Sequence, residues 1–492
     1  MLFRRLFFTF LLLALLPKVH ANFDFNANCI KAYQSIMALK LNTARALINA
    51  EKKRNPNNSI PYLLDNYVDY FNLITSENQS DYARFKESKS LRIRRIEKDD
   101  KDSPYYLYAL AEINLQVALS RSKEKEYFSA SIEFNKAFSQ LKENSKKFPN
   151  FLPNQKSLGM IQAVLGSFPE GLSKALSAFG IRGDTRTGVK LLENLIEKLP
   201  ESSYSHFYDE TVFYYAIIQT DIISESTNYA KIVKITEQID RESLLRTYIR
   251  AYAGIKLGNS IKSVLELNKR PTEPFYVAYP YLDYLMGLAK LQNLDQSAAS
   301  NFQAYLKLNR GTNLIKDTYL QLAWLELVKG NGPGYQQFVS LVKTKGNNSH
   351  NRDFQALKEV NYGIPDINLL KAKLLSDGGN YDKALAQLLG KSTSDFKSLM
   401  HQIEFNYRIG RIYDLSSKFD QALKYYQVAI DLGKNQAYSF AANSALRSGI
   451  IYEKNKNFIR AKQFYTLAIN MKDHDYENSI ENRAKEGLKR IN

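Results

Sequence analysis

Five positions near the C-terminus recur at a fixed offset of 39, and that single fact leaves few folds open to the chain. Gly410 matches Gly449, Tyr413 matches Tyr452, Ala422 matches Ala461, Tyr426 matches Tyr465 and Ala429 matches Ala468. A third copy starts at Ala372, with Ala384 and Leu388 at the same +12 and +16 spacings and Tyr381 just ahead of them. Self-similarity at a period of about 20–50 residues marks a solenoid or array. The repeating unit is expected to be helical. Glycine (22) and proline (13) both fall below their usual shares of roughly 7% and 5%, and these are the residues that interrupt helices. The 492 residues therefore read as many copies of one unit rather than several unrelated domains.

The two strongest copies run from Phe419 through Ala422 and Tyr426 to Ala429, and from Phe458 through Ala461 and Tyr465 to Ala468. Their spacing resembles the tetratricopeptide repeat (TPR) family, and the chain is identified as an exported bacterial member. The resemblance implies an all-α fold, an α-solenoid of antiparallel helix pairs. Two helices approach where Gly or Ala leaves room, and large rings fill the space between repeats. That gives a use for the 33 tyrosines and 27 phenylalanines.

Degenerate copies extend the pattern toward the N-terminus. Ala118, Tyr127, Ala130, Phe134 and Ala137 keep the spacing, and around Gly287 and Ala299 the aromatics Phe302 and Tyr305 slip by a residue. Residues 244–267 and 317–343 read as helix pairs from apolar periodicity. The expected organisation is a leader over 1–21, degenerate TPR-like helices over 22–148, a Gly/Pro-rich apolar junction over 149–200, degenerate repeats over 201–365 and C-terminal repeats over 366–492. The junction concentrates Pro149, Pro153, Pro169, Gly159, Gly166, Gly171, Gly180, Gly183 and Gly188 within residues 149–188. Such breakers mark bends, caps or a boundary. Short kinked helices inside the superhelix are expected there, with a membrane-touching or ligand-gripping hairpin as the alternative.

Arg4 and Arg5, the apolar run Leu6 to Leu16, Pro17, and Val19-His20-Ala21 have the layout of a cleaved signal peptide cut after Ala21. The mature chain is expected to be exported, periplasmic or secreted. The residues before Cys29 make a poor lipid-attachment motif, and one cysteine allows no internal disulfide. Loss of Arg4, Arg5 and Lys18 lowers the formal charge from +18 to about +15. That charge fits an anionic envelope surface or an acidic partner better than nucleic acid, given export. The densest basic stretch holds Lys86, Lys89, Arg92, Arg94, Arg95, Lys98 and Lys101 and is expected to be a solvated helix face.

No catalytic pattern emerges. His206, His350, His401 and His474 lack metal-ligand spacing from one another, and no phosphate loop or nucleophile elbow occurs. Cys29, near a terminus expected to be loose, has no paired base. Gly159-Met160-Ile161-Gln162 is similar to a motif of lytic transglycosylases, which would require an acid such as Glu143 in an apolar cleft. Asn144 replaces the serine that follows that acid in the family. The downstream family pattern survives only as Arg250-Ala251-Tyr252-Ala253. A second alternative, an outer-membrane-associated nutrient- or glycan-binding protein with TPR-like helices, is opposed by a single tryptophan, Trp324.

The expectation is a non-enzymatic scaffold with no metal and no cofactor, binding protein or peptide partners in its concave groove. Peripheral contact with an envelope membrane and the oligomeric state stay open. In the resembled family the first helix of each pair lines that groove, which places Lys373, Glu404, Tyr407, Arg411, Asp414, Asn443, Glu453 and Lys454 at binding positions. A mixed polar and aromatic lining suits an extended peptide or a partner helix.

Overall fold

The computed structural model describes residues 23–168, 177 and 182–491. The expected leader and residues 169–176 and 178–181 of the Gly/Pro-rich segment lie outside them. Among the described residues are 24 α-helices and no strand, an all-α solenoid of antiparallel pairs.

One turn design joins most pairs. In seven of them three residues connect the helices and the middle one is left-handed: Leu39, Lys125, Gly258, Gly330, Gly379, Ser417 and Lys456. In each, the N–H of the next residue returns to a carbonyl five positions back, as from Lys418 to Tyr413 at 2.8 Å and from Asn457 to Tyr452 at 2.9 Å. This Schellman closure satisfies the last carbonyls of the first helix and turns the chain back antiparallel.

Within a pair, ring packs on glycine. Gly410 in Leu399–Leu415 receives Tyr426 from Phe419–Gly433, and Gly449 in Phe440–Lys454 receives Tyr465 from Phe458–Asn470. A methyl group on Gly410 or Gly449 would lie 2.7 or 2.6 Å from a ring carbon. The slipped copy does the same, with Phe302 closing on Gly287. Residues 244–267 and 317–343 do form pairs, Leu244–Lys256 with Ser260–Asn268 and Ile315–Val328 with Gly332–Thr344. The Ala118 copy follows the same plan: Ala118, Ala130 and Ala137 are buried, while Tyr127, like Phe458 at the equivalent place, opens its helix on the solvent side.

Among the described residues the junction glycines Gly159, Gly166, Gly183 and Gly188 serve close contact. Helix Pro153–Gly166 crosses Thr185–Lys198 with Gly159 against Gly188, and any side chain at Gly188 would strike the Gly159 carbonyl and the Ala163 backbone. Proline at the start of the first of these helices gives up no intrahelical bond.

Stacked pairs share one apolar core from Phe23 to Leu374, while the C-terminal repeats hold three smaller clusters. The superhelix coils tightly enough for distant segments to touch. Val277 N–H donates to the Leu39 carbonyl at 2.9 Å, Asn313 to Glu77 at 3.1 Å, and Lys454 pairs with Glu225 at 3.3 Å. These separations, all above 200 residues, are those of a coil whose neighbouring turns meet. No helix among the described residues is long and apolar enough to cross a membrane.

Two sequence expectations are corrected. Of the seven residues of the basic stripe Arg94, Lys98 and Lys101 are exposed as expected, but the other four do not form a solvated face. Lys86 pairs with Glu126 at 2.9 Å, Lys89 with Glu133 at 2.5 Å, and Arg92 is buried against Asp69 and Asn66. Arg95 reaches Ser59 and the carbonyls of Pro56 and Asn57. Spacing of three puts these four on one side of Gln79–Ile96, and that side faces protein. Cys29 is 1% exposed rather than on a loose end, and burial, with Glu51 and Asp24 nearby, pushes its thiol up to about 12. A thiol held protonated in this way is inert.

Candidate functional site

The inner face of the coil encloses two adjoining cavities. The smaller, about 440 Å³, is walled by Tyr248, Tyr252, Tyr279 and Tyr281 together with Phe71, Phe213 and several leucines, with Glu77, Lys123, His350 and Arg352 adding polar groups to the wall. The tyrosines form a connected patch, with ring centroids 5.5 Å apart for Tyr248 and Tyr252, 5.6 Å for Tyr248 and Tyr279, and 6.1 Å for Tyr279 and Tyr281. Desolvation by the surrounding wall holds all four phenols above their usual range. Large, stiff rings with a polar tip bury much surface at little entropic cost, so this chamber suits an apolar or aromatic side chain.

The larger cavity, about 1210 Å³, continues from the first through the shared residues Ile255, Lys256, Leu288, Asn351 and Arg352. Its lining is charged. Arg352 pairs with Asp317 at 3.3 Å, Lys358 with Asp475 at 2.8 Å and Lys373 with Asp377 at 3.8 Å. Lys373 also sits 4.2 Å above the ring of Trp324, which forms part of the wall. At the rim the Lys454–Glu225 pair bridges the mouth.

Of the eight residues expected at the groove, Lys373, Arg411, Asp414 and Lys454 line this cavity. Asp414 is buried and accepts from Arg447 Nε at 2.7 Å, Tyr426 at 3.0 Å and Arg411 at 3.4 Å. The other four are absent from the lining. Glu404 is engaged by Arg408 one turn along its helix at 2.8 Å. The ring of Tyr407 packs between Tyr426 and Phe440. Asn443 donates to the Ser439 carbonyl at 3.1 Å, and Glu453 pairs with Arg490 at 2.7 Å while accepting from Tyr465. Sequence reasoning missed Arg352, Arg447, Arg483, Trp324 and the four tyrosines. The arginines carried a signal: Arg411, Arg447 and Arg483 stand 36 residues apart.

A second polar cluster is sealed in the core. Lys156 is 0% exposed, and its Nζ lies 2.6 Å from Glu210, 2.9 Å from Glu112 and 2.9 Å from the Tyr67 hydroxyl. Tyr33 and Tyr67 donate to these carboxylates, as does Ser157, and Tyr214 donates to Glu210 at 2.7 Å. Burial first, and then the charge of Glu112 and Glu210, hold the phenols of Tyr33, Tyr67, Tyr108 and Tyr214 well above their ordinary range. They therefore stay protonated, and Tyr67 donates to the carboxylates while its oxygen accepts from Lys156. Rings of Tyr67, Tyr108, Phe207 and Tyr214 surround the ammonium at 5.5 to 5.8 Å. Lys156 lines neither of the two cavities, so the cluster ties five helices of the coil together rather than meeting a ligand.

Glu143, the acid a transglycosylase would require, is exposed on Tyr127–Lys147 with no apolar cleft about it, and Gly159 is occupied by packing on Leu192 and Gly188. Among the described residues no His, Cys, Asp and Glu group could hold a metal ion.

No protein-family model matches the chain, and no curated protein matches it. Among solved structures it is similar to helical-repeat proteins. The TPR domain of P58(IPK) shares 13% identity over 87% of this chain and 98% of that one, with a TM-score of 0.21. Yeast Tom70 shares 14% over 92% and 95%, with a TM-score of 0.24. A circular tandem repeat protein with novel repeat topology shares 11% over 94% and 95%, with a TM-score of 0.15. Scores this low carry nothing about ligands. The TPR-like character of the chain rests on its own pairs, with a ring set against glycine at Gly410 and Gly449.

Proposed function

We propose that this chain is an exported, non-enzymatic scaffold that takes an extended segment of a protein partner into its inner groove. The supporting observation is the continuity of the two cavities, a tyrosine chamber opening into a charged one, on the face the helix pairs turn inward. Contact between neighbouring turns keeps that channel narrow, which favours a single extended strand or helix over a folded domain. An apolar side chain would seat among Tyr248, Tyr252, Tyr279 and Tyr281, and polar groups of the same segment would meet the charged half.

Photo-crosslinking tests the reading. A benzophenone side chain at Tyr281, inside the groove, is expected to capture a defined envelope protein, and one at Phe128, exposed on the outside, is not. Equal capture from both positions would refute a groove-binding role. Export has its own check: mass spectrometry of the protein recovered outside the cytoplasm is expected to find Asn22 at the N-terminus, and an intact Met1 end would remove this part of the proposal.

A further inference from the structure

The charges of the larger cavity are matched almost one to one. Lys256 has Asp221 at 3.5 Å, and Arg352, Lys358, Lys373 and Lys454 each have a carboxylate of their own. Two departures stand out: Glu359 has no cation in ion-pair contact among the described residues, and the reverse holds at a group of arginines. Arg411, Arg447 and Arg483 all line the wall, and the single acid among them, Asp414, is shared by Arg411 and Arg447 through the same oxygen that accepts from Tyr426. Among the described residues Arg483 has no carboxylate in ion-pair contact, and Glu486 on its own helix acts on it only through space. Desolvation, then repulsion from Arg447 and Arg411, holds Arg483 below the ordinary arginine range. An unpaired guanidinium beside two others is an unfavourable arrangement in the empty groove, and an incoming anion relieves it.

The three arginines come from alternate helices, Leu399–Leu415, Phe440–Lys454 and Glu477–Ile491. Their spacing of 36 falls three short of the 39-residue repeat, so each sits almost one turn back from the equivalent point on the helix before it. The result is an oblique row of forked donors crossing three helices. Guanidinium forks match carboxylates in pairs of parallel hydrogen bonds. A bilayer is too flat to enter a concave channel of this size, and a duplex is too wide.

We infer that the row Arg411, Arg447 and Arg483 is the docking site for an acidic stretch of the partner polypeptide, its Asp or Glu carboxylates bridging the three guanidinium groups. This rests on the scaffold reading and assigns that groove a ligand chemistry and a place. Arg483 is the group most available to the ligand, because among the described residues no carboxylate is in ion-pair contact with it. Arg447 is the least, because Asp414 already occupies its Nε.

The test is fluorescence anisotropy of labelled octaglutamate titrated with the mature full-length protein. Saturable binding that weakens with salt is expected. Arg483→Gln should weaken it about tenfold, and Arg411→Gln with Arg483→Gln about a hundredfold, the usual worth of one and two charge-assisted bonds. Lys391→Gln, at an exposed lysine outside the cavity lining, should leave affinity unchanged, and circular dichroism should show all variants folded. Octalysine should not bind. Equal affinity of wild type and the double variant, or equal binding of octalysine, would overturn the inference. So would absence of octaglutamate binding while the Tyr281 crosslink persists, an outcome that leaves the scaffold reading standing and removes only the acidic ligand.

Discussion

Lys156 shows how much one side chain can organise in a chain with no disulfide. Two carboxylates and one ammonium are buried together, so the cluster holds only while every lone pair and proton has a partner. Lys156→Met should cost about 3–5 kcal/mol, because it strands two buried carboxylates. Adding Glu112→Gln and Glu210→Gln should recover most of that, and urea denaturation of the single and triple variants checks both. His206 makes a separate, pH-dependent demand. Its ring packs against Phe25 and Phe207, its Nε2 has no partner, and desolvation lowers it from 6.5 to about 4. The unfolded chain thus takes up a proton between about pH 6.5 and 4 that the folded chain refuses, so stability falls as pH falls through that window. His206→Phe should match the wild type at pH 7 and exceed it by about 2 kcal/mol at pH 5. Asp353, raised to about 6 mainly by desolvation, drives the opposite trend, which is why the difference between the two proteins is the quantity to measure. Little at this scale was legible beforehand. Periodicity reveals which residues share a helix face but not whether that face meets water or another helix, so Arg92 read as solvated and Lys156 drew no notice. The same blindness let Tyr407 and Glu453 stand beside Arg411 as groove residues, though their own helices' neighbours had already claimed them.

Helix pairs were far more legible, because their rule is written in residue size. Glycine opposite a ring is a local, repeating requirement, and Gly410, Gly449 and Gly287 all meet it. Gly449→Ala should cost about 1–3 kcal/mol, the usual penalty of forcing a methyl into a filled interface, and Tyr465→Leu in the same chain should return part of it. The turns were not read in advance, since no residue type is constant at their left-handed position. It is glycine at Gly258, Gly330 and Gly379 but Leu39, Lys125, Ser417 and Lys456 elsewhere. A side chain in that conformation costs roughly 1 kcal/mol. Lys456→Gly should therefore stabilise the last repeats by about 0.5–1 kcal/mol in thermal unfolding. Gly379→Ala should do the reverse, since its added carbon would meet the Gly258 carbonyl.

For the whole molecule, the continuous core from Phe23 to Leu374 and the small separate clusters beyond it set an order of unfolding. A solenoid is stabilised by nearest-neighbour interfaces, and its end units have one neighbour instead of two. Hydrogen exchange should find the amides of Phe458–Asn470 and Glu477–Ile491 opening well before those of Ile315–Val328. Trp324 reports only on the large core, so its emission should change at higher denaturant than the circular dichroism signal, and coincident transitions would contradict this division. The coil's own contacts have a further, mechanical consequence. Val277 and Leu244 to the Leu39 turn, Lys40 to Glu242, Asn313 to Glu77 and Lys454 to Glu225 are among the contacts that fasten one turn to the next, whereas each pair within a turn is held by an entire interface. Stretched between its ends, the molecule should first lengthen at low force as these fasteners release, keeping every helix intact, and only then yield in steps of one repeat. It would behave as a spring whose rest length is set by such polar clasps.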